Sequence, residues 1–189
     1  MNFLGFMETF LYVLSSALLY PVILGLIFLV FWILFLGGEF LRDWAERRNG
    51  LNPVVENFKK FLRELVSRVS DFEELETEVY KRLKDTEILL IKDLDRVRSI
   101  VRIGPALGLL GTLIPMGIAL AQLAKGNLPK MASHMVTAFT TTVIGLACGV
   151  LAYAMTLVKE RWIKETLTSL EYLADKTLLE VKKKNEQIS

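Results

Sequence analysis

The sequence predicts an all-α integral membrane protein with three transmembrane helices and long cytoplasmic helical extensions. Three observations predict it. Of 189 residues, 52% are hydrophobic while 23% are charged. With mean hydropathy at +0.40, the apolar residues must be clustered rather than diluted. Three runs lack Asp, Glu, Lys and Arg: 9–38, 103–124 and 131–158. Each exceeds the roughly 20 residues a helix needs to cross the bilayer core. Between and after them lie charged segments whose apolar residues recur at three and four, the period of an amphipathic helix. One cysteine excludes a disulfide scaffold, and a net charge of +2 gives no case for nucleic acid.

The N-terminal 1–16 carries Phe3, Phe6, Phe10, Leu11 and Leu14 and suits a helix at the outer membrane face. The first span follows over 17–38, with Pro21 starting or bending it. No Lys or Arg precedes the run and no small-residue cleavage pattern follows it, so it reads as a retained span and not a signal peptide. A cytoplasmic helical segment covers 39–99. Asn52 and Pro53 read there as an N-cap and a first-turn proline. Val54, Val55, Phe58, Phe61, Leu62, Leu65, Val66 and Val69 then form one helix face. Ser70 and Glu73 have capping-box spacing, and Leu75, Val79, Leu83 and Leu90 continue as a helix to Arg102, without Gly or Pro. The acidic cluster Asp71, Glu73, Glu74, Glu76 and Glu78 reads as a solvated face.

The second span covers 100–124, an outer turn 125–130, the third span 131–158 and a cytoplasmic helical tail 159–189. In the tail, Ile163, Leu167, Leu170, Ala174 and Val181 make one stripe. Orientation follows from the basic residues. The segment 39–102 holds 14 and the tail seven, against two (Lys125 and Lys130) in the turn and none in 1–38. The predicted location is the cytoplasmic membrane, with the N-terminus outside and the C-terminus in the cytoplasm.

Gly104, Gly108 and Gly111 in the second span, with Gly117 beyond them, and Gly145 and Gly149 in the third, let helix backbones approach closely. The two spans therefore read as a hairpin packed against protein more than lipid. Thr112 lies in the second span and Thr137, Thr140, Thr141 and Thr142 in the third. One reading has each hydroxyl bonding its own i−4 carbonyl. Four in six residues, beside the small-residue stripe, suggest instead a polar, protein-facing or water-accessible surface. No carboxylate lies between Asp95 and Glu160, so any proton crossing here needs a titrating group from another chain. His134 reads as an interfacial residue and Cys148 as a small buried hydrophobe. With one His, one Cys, no phosphate loop and no paired metal ligands, no enzyme, cofactor or metal site is indicated.

The stretches GPALGLLGT (Gly104–Thr112) and TAFTTTVIGLACGVLAY (Thr137–Tyr153) resemble the second- and third-span signatures of the MotA/TolQ/ExbB proton-channel family, as an ExbB/TolQ-like stator subunit. The stretch GTLIPMG is similar to archaeal-type members. The resemblance implies a homopentameric ring around single-span partners of the ExbD/TolR/MotB kind, each carrying a titrating Asp. It implies a pore-ring subunit of a proton-driven motor, with Thr112 as the pore-facing Thr of the second span, Thr142 as its counterpart, and Thr141 and Thr137 beside them on the proton pathway. Thr137 stands where ExbB- and TolQ-like members tend to carry Glu, Leu151 where they often carry Pro, and Pro115 falls in the second span. These departures leave open import, envelope maintenance and flagellar rotation. The alternative is a non-conducting scaffold that docks a partner through its cytoplasmic helices.

Overall fold

A computed structural model describes residues 3–48, 52–69 and 71–186, with the side chains of 3–9, 11, 12, 15 and 184–186 left aside. Four helices follow one another: α1 (Phe3–Arg48), α2 (Pro53–Arg68), α3 (Phe72–Ala124) and α4 (Leu128–Glu186). No strand occurs among the described residues. Of the four, α1, α3 and α4 are long and apolar enough to cross a membrane. The chain divides into two compact units, one of residues 1–38 and 97–155 and one of residues 39–96 and 156–189.

In the first unit α1 is a single helix running through Pro21, so no break separates the segment before residue 16 from the one after it. Proline is tolerated inside such helices where neighbouring groups satisfy the freed carbonyl. α1 buries Val22, Leu26, Leu29, Ile33 and Leu36 at helical spacing and exposes Leu24, Phe28, Phe31, Leu34 and Phe35. A helix apolar on every side suits lipid rather than water. α3 carries Pro105 and Pro115 inside it. It ends on Gly126, whose φ of 71° lies in the left-handed region. Asn127 N–H donates to the Gln122 carbonyl at 3.0 Å and Gly126 N–H to that of Leu123 at 2.9 Å, the paired bonds of a Schellman end. α4 then begins at Leu128, ahead of residue 131 where the apolar run starts. The reason is local: Asn127 Oδ1 accepts from Lys130 N–H at 3.3 Å, and Pro129 occupies the first helical turn.

The second unit is built on α2. Asn52 caps it, extended at φ −123° with its side chain accepting from Val55 N–H, and Pro53 opens the helix. Phe58, Leu62 and Leu65 pack with Leu75 and Val79 of α3 and Leu170, Ala174 and Leu178 of α4. Val66, expected on the same face, is exposed at 38%. Ser70 lies outside the described residues; the Asp71 carbonyl accepts from Leu75 N–H at 3.0 Å, which makes Asp71 the capping residue ahead of α3. Thr166, 1% exposed, ties the unit together. Its hydroxyl donates to the Trp162 carbonyl at 2.8 Å and accepts from Arg47 Nη2 and Asn52 Nδ2, each at 3.1 Å. The Arg47 guanidinium also lies 5.1 Å from the centre of the Trp162 ring, and Phe40 stacks on that ring at 5.2 Å.

Candidate functional site: the glycine seam and its hydroxyl pair

The site is made where α3 and α4 of the first unit come closest. Small residues permit that approach, and ideal Cβ atoms built on the glycines measure it. A Cβ on Gly145 would lie 2.6 Å from the Gly104 carbonyl oxygen and 2.7 Å from Gly108 Cα; one on Gly104 would lie 2.8 Å from the Gly145 oxygen. On Gly149 it would meet the Pro105 ring at 2.9 Å, and on Gly111 the Thr141 side chain at 2.7 Å. At Gly108 the nearest atom is Gly145 Cα at 3.3 Å. Five glycines, Gly104, Gly108, Gly111, Gly145 and Gly149, thus line one backbone-to-backbone seam, with Ala138 fully buried. Gly117 has nothing within 4 Å and plays no part in it.

The seam brings two threonines together. Thr112 Oγ1 and Thr142 Oγ1 are in direct hydrogen-bond contact. Thr112 Oγ1 also lies 2.9 Å from its own-helix Gly108 carbonyl and Thr142 Oγ1 3.1 Å from that of Ala138; with one proton each, one hydroxyl donates to the other and the second donates to its own-helix carbonyl. Both side chains are half-buried. The pair therefore has its protons engaged and spare lone pairs, so it can accept from a water or from a protonated carboxyl. A hydroxyl relays hydrogen bonds but does not titrate near neutral pH.

The other threonines lie elsewhere. Thr141 is buried and donates across the seam to the Gly111 carbonyl at 2.7 Å. It is a clamp between helices. Thr137 and Thr140 bond their own-helix carbonyls of Ser133 and Val136 at 3.2 and 2.8 Å. These three line an otherwise apolar groove of about 470 Å³ beside Leu26, Val30 and Phe31 of α1. Of the four residues expected on a proton pathway, the structure joins Thr112 to Thr142, sets Thr141 against the same Ala138 carbonyl and has Thr137 bonded to its own helix.

His134 is half-buried and Cys148 buried. Among the described residues no three His, Cys, Asp or Glu side chains are grouped to hold a metal ion. The Ala138 carbonyl, within reach of Thr112, Thr141 and Thr142 at 3.5, 2.9 and 3.1 Å, is the shared acceptor that sequence reading missed. Only the spacing of Thr141 and Thr142, three and four residues beyond Ala138, hinted at it.

No individually curated protein matches the chain. The sequence profile of the MotA/TolQ/ExbB proton channel family matches residues 51–172. That stretch holds α2, both glycine-bearing parts of the seam and the Thr112–Thr142 pair, and the chain belongs to the MotA/TolQ/ExbB proton channel family.

Proposed function

We propose that the chain is the pore-ring subunit of a proton-driven molecular motor, a homopentamer conducting H⁺ together with a single-span partner of the ExbD/TolR/MotB kind that carries the titrating Asp. The observation that carries this is a paired hydroxyl, Thr112 with Thr142, on two helices with no carboxylate between Asp95 and Glu160. Such a surface solvates a carboxyl group without supplying one.

An unpaired carboxyl buried in a bilayer costs several kcal/mol. Thr112 and Thr142 lower that cost by accepting a hydrogen bond from the protonated carboxyl and by holding water for its ionised form. One charge descending 100 mV releases about 2.3 kcal/mol. In this reading that energy turns or rocks the partner within the ring and reaches work in or beyond the membrane, protein transport among the candidates. The N-terminus lies outside and the C-terminus in the cytoplasm, as the 14 and seven basic residues of the two charged segments favour.

The test is Thr142→Val in the assembled complex. Proton-coupled work should fall by about tenfold or more, the equivalent of one lost hydrogen bond to an ionisable group, with assembly intact. Proton flux into liposomes should require the coexpressed Asp-bearing partner. Full work by Thr142→Val, or no flux with the partner present, would favour a non-conducting scaffold docking through its cytoplasmic helices.

A further inference from the structure

The second unit contains an open cavity of about 200 Å³ bounded by all four helices, its wall more apolar than polar but carrying several charged side chains. Asp43, Glu46 and Arg47 of α1 face it, with Val54 at the start of α2, Asp93 of α3 and Lys159 of α4. Arg47 is held in place by its bonds to Thr166 and its position over Trp162. Lys159 is different. Its side chain is only 14% exposed, yet its ion pair with Asp43 Oδ2 spans 3.7 Å, beyond hydrogen-bond reach. The carboxylates are as loosely held: Asp43 and Glu46 each stand 3.9 Å from Arg42, and Asp93 stands 3.5 Å from Arg96. Charge-assisted bonds close to about 2.7–2.9 Å when both partners are free to meet.

A cation alone entering the cavity meets Arg47 and Lys159, and a free anion meets three carboxylates. A zwitterion satisfies both. The first turn of α2 lines the same cavity at Pro53 and Val54: Pro53 has no N–H, Asn52 occupies that of Val55, and the Val54 amide has no intrahelical acceptor. Asp43 lies five residues past the first apolar run and Lys159 is the first charge past the third. Five residues of helix span about 7.5 Å, the depth of the headgroup layer.

We propose that this cavity binds the phosphoethanolamine headgroup of a bilayer lipid, its phosphate on Lys159 and the Val54 amide and its amine among Asp43, Glu46 and Asp93. The inference rests on the membrane placement of α1 and α4 and is independent of whether the chain conducts protons.

The test is native mass spectrometry of the full-chain complex in detergent, titrated with phosphatidylethanolamine, phosphatidylcholine and phosphatidylglycerol of identical acyl chains. The ethanolamine lipid should bind preferentially. Lys159→Ala should weaken it by about tenfold, one bond to a charged group, and Lys159→Arg should restore most of that. Asp93→Asn, at an exposed side chain, should weaken the ethanolamine lipid and leave the glycerol lipid unchanged. Equal binding of the three lipids, or undiminished binding to Lys159→Ala, overturns the proposal. Displacement by soluble glycerophosphoethanolamine at equal concentration overturns the lipid as its source. Should Lys159→Ala misfold, Asp93→Asn decides alone, and a retained preference for ethanolamine overturns the assignment.

Discussion

The two units are built from opposite materials, although α3 and α4 contribute to both. In the unit of residues 1–38 and 97–155, α1 buries Leu26, Leu29 and Ile33, but between α3 and α4 small residues are inside: Gly104, Gly108 and Gly145 meet backbone to backbone, with Ala119, Ala138 and Ala152 buried. Large apolar side chains point outward, among them Leu109, Leu113, Val136, Phe139 and Val143. In the unit of residues 39–96 and 156–189, Leu75, Val79, Leu170 and Phe58 are inside and charged side chains are outside. The difference is one of solvent. Water drives large apolar surface inward. Lipid tails offer no such drive between helices, so close backbone contact and hydroxyl bonds hold them instead.

Two substitutions ending in the same residue put that contrast to work. Leu170→Ala removes a fully buried side chain from the leucine core and should cost about 2–5 kcal/mol. Gly145→Ala adds one methyl group where a Cβ would stand 2.6 Å from the Gly104 oxygen, and should cost about 1–3 kcal/mol by forcing the helices apart. Thermal unfolding of the solubilised protein measures both. The seam variant should also part Thr112 from Thr142 and lose proton-coupled work. Tolerance of Gly145→Ala alongside damage from Leu170→Ala would mean that the seam is not close-packed, and the contrast would collapse.

Thr166→Val comes next. At Thr166 a buried hydroxyl of the second unit does what hydroxyls do in the first. Its loss leaves Arg47 Nη2 and Asn52 Nδ2 without their 3.1 Å acceptor, at about 1–3 kcal/mol. Thr112→Val, by contrast, leaves no such donors stranded on side chains and should act on proton work more than on melting temperature. Equal melting shifts in the two would erase the distinction.

How much was legible in the sequence follows the same division. The three apolar runs and the Asn52–Pro53 helix start are visible because charge and capping chemistry are local. The glycines are visible as a stripe, but their pairing across the seam is not: that Gly145 meets Gly104 while Gly117 meets nothing is a matter of helix rotation and register. The same holds for the threonines. Thr137, Thr141 and Thr142 lie within six residues, and the 100° step of a helix decides that only Thr142 reaches Thr112. The Thr166 knot was invisible, because its partners Arg47 and Asn52 are 119 and 114 residues away.

The smallest effect separates the units by pH. Between residues 103 and 158 there is no carboxylate, so acid finds no carboxylate of this chain to neutralise along the seam. In the second unit the Lys59 ammonium, 3.0 Å from Glu56 Oε1, holds the Glu56 carboxyl below its ordinary value of 4.5, first through their hydrogen bond and then through their charges. A depressed carboxyl pKa contributes stability that is present above the unfolded value and lost as pH falls through the folded one. The start of α2 should therefore loosen below about pH 4.5, the ordinary carboxyl value, while the Thr112–Thr142 contact is unmoved. Glu56 is exposed, so the change is small and salt should screen it. Carboxyl NMR titration of the labelled protein measures it: Lys59→Ala should bring the Glu56 midpoint up toward the ordinary value. An unchanged midpoint in that variant would show that Lys59 is not what holds the carboxyl down.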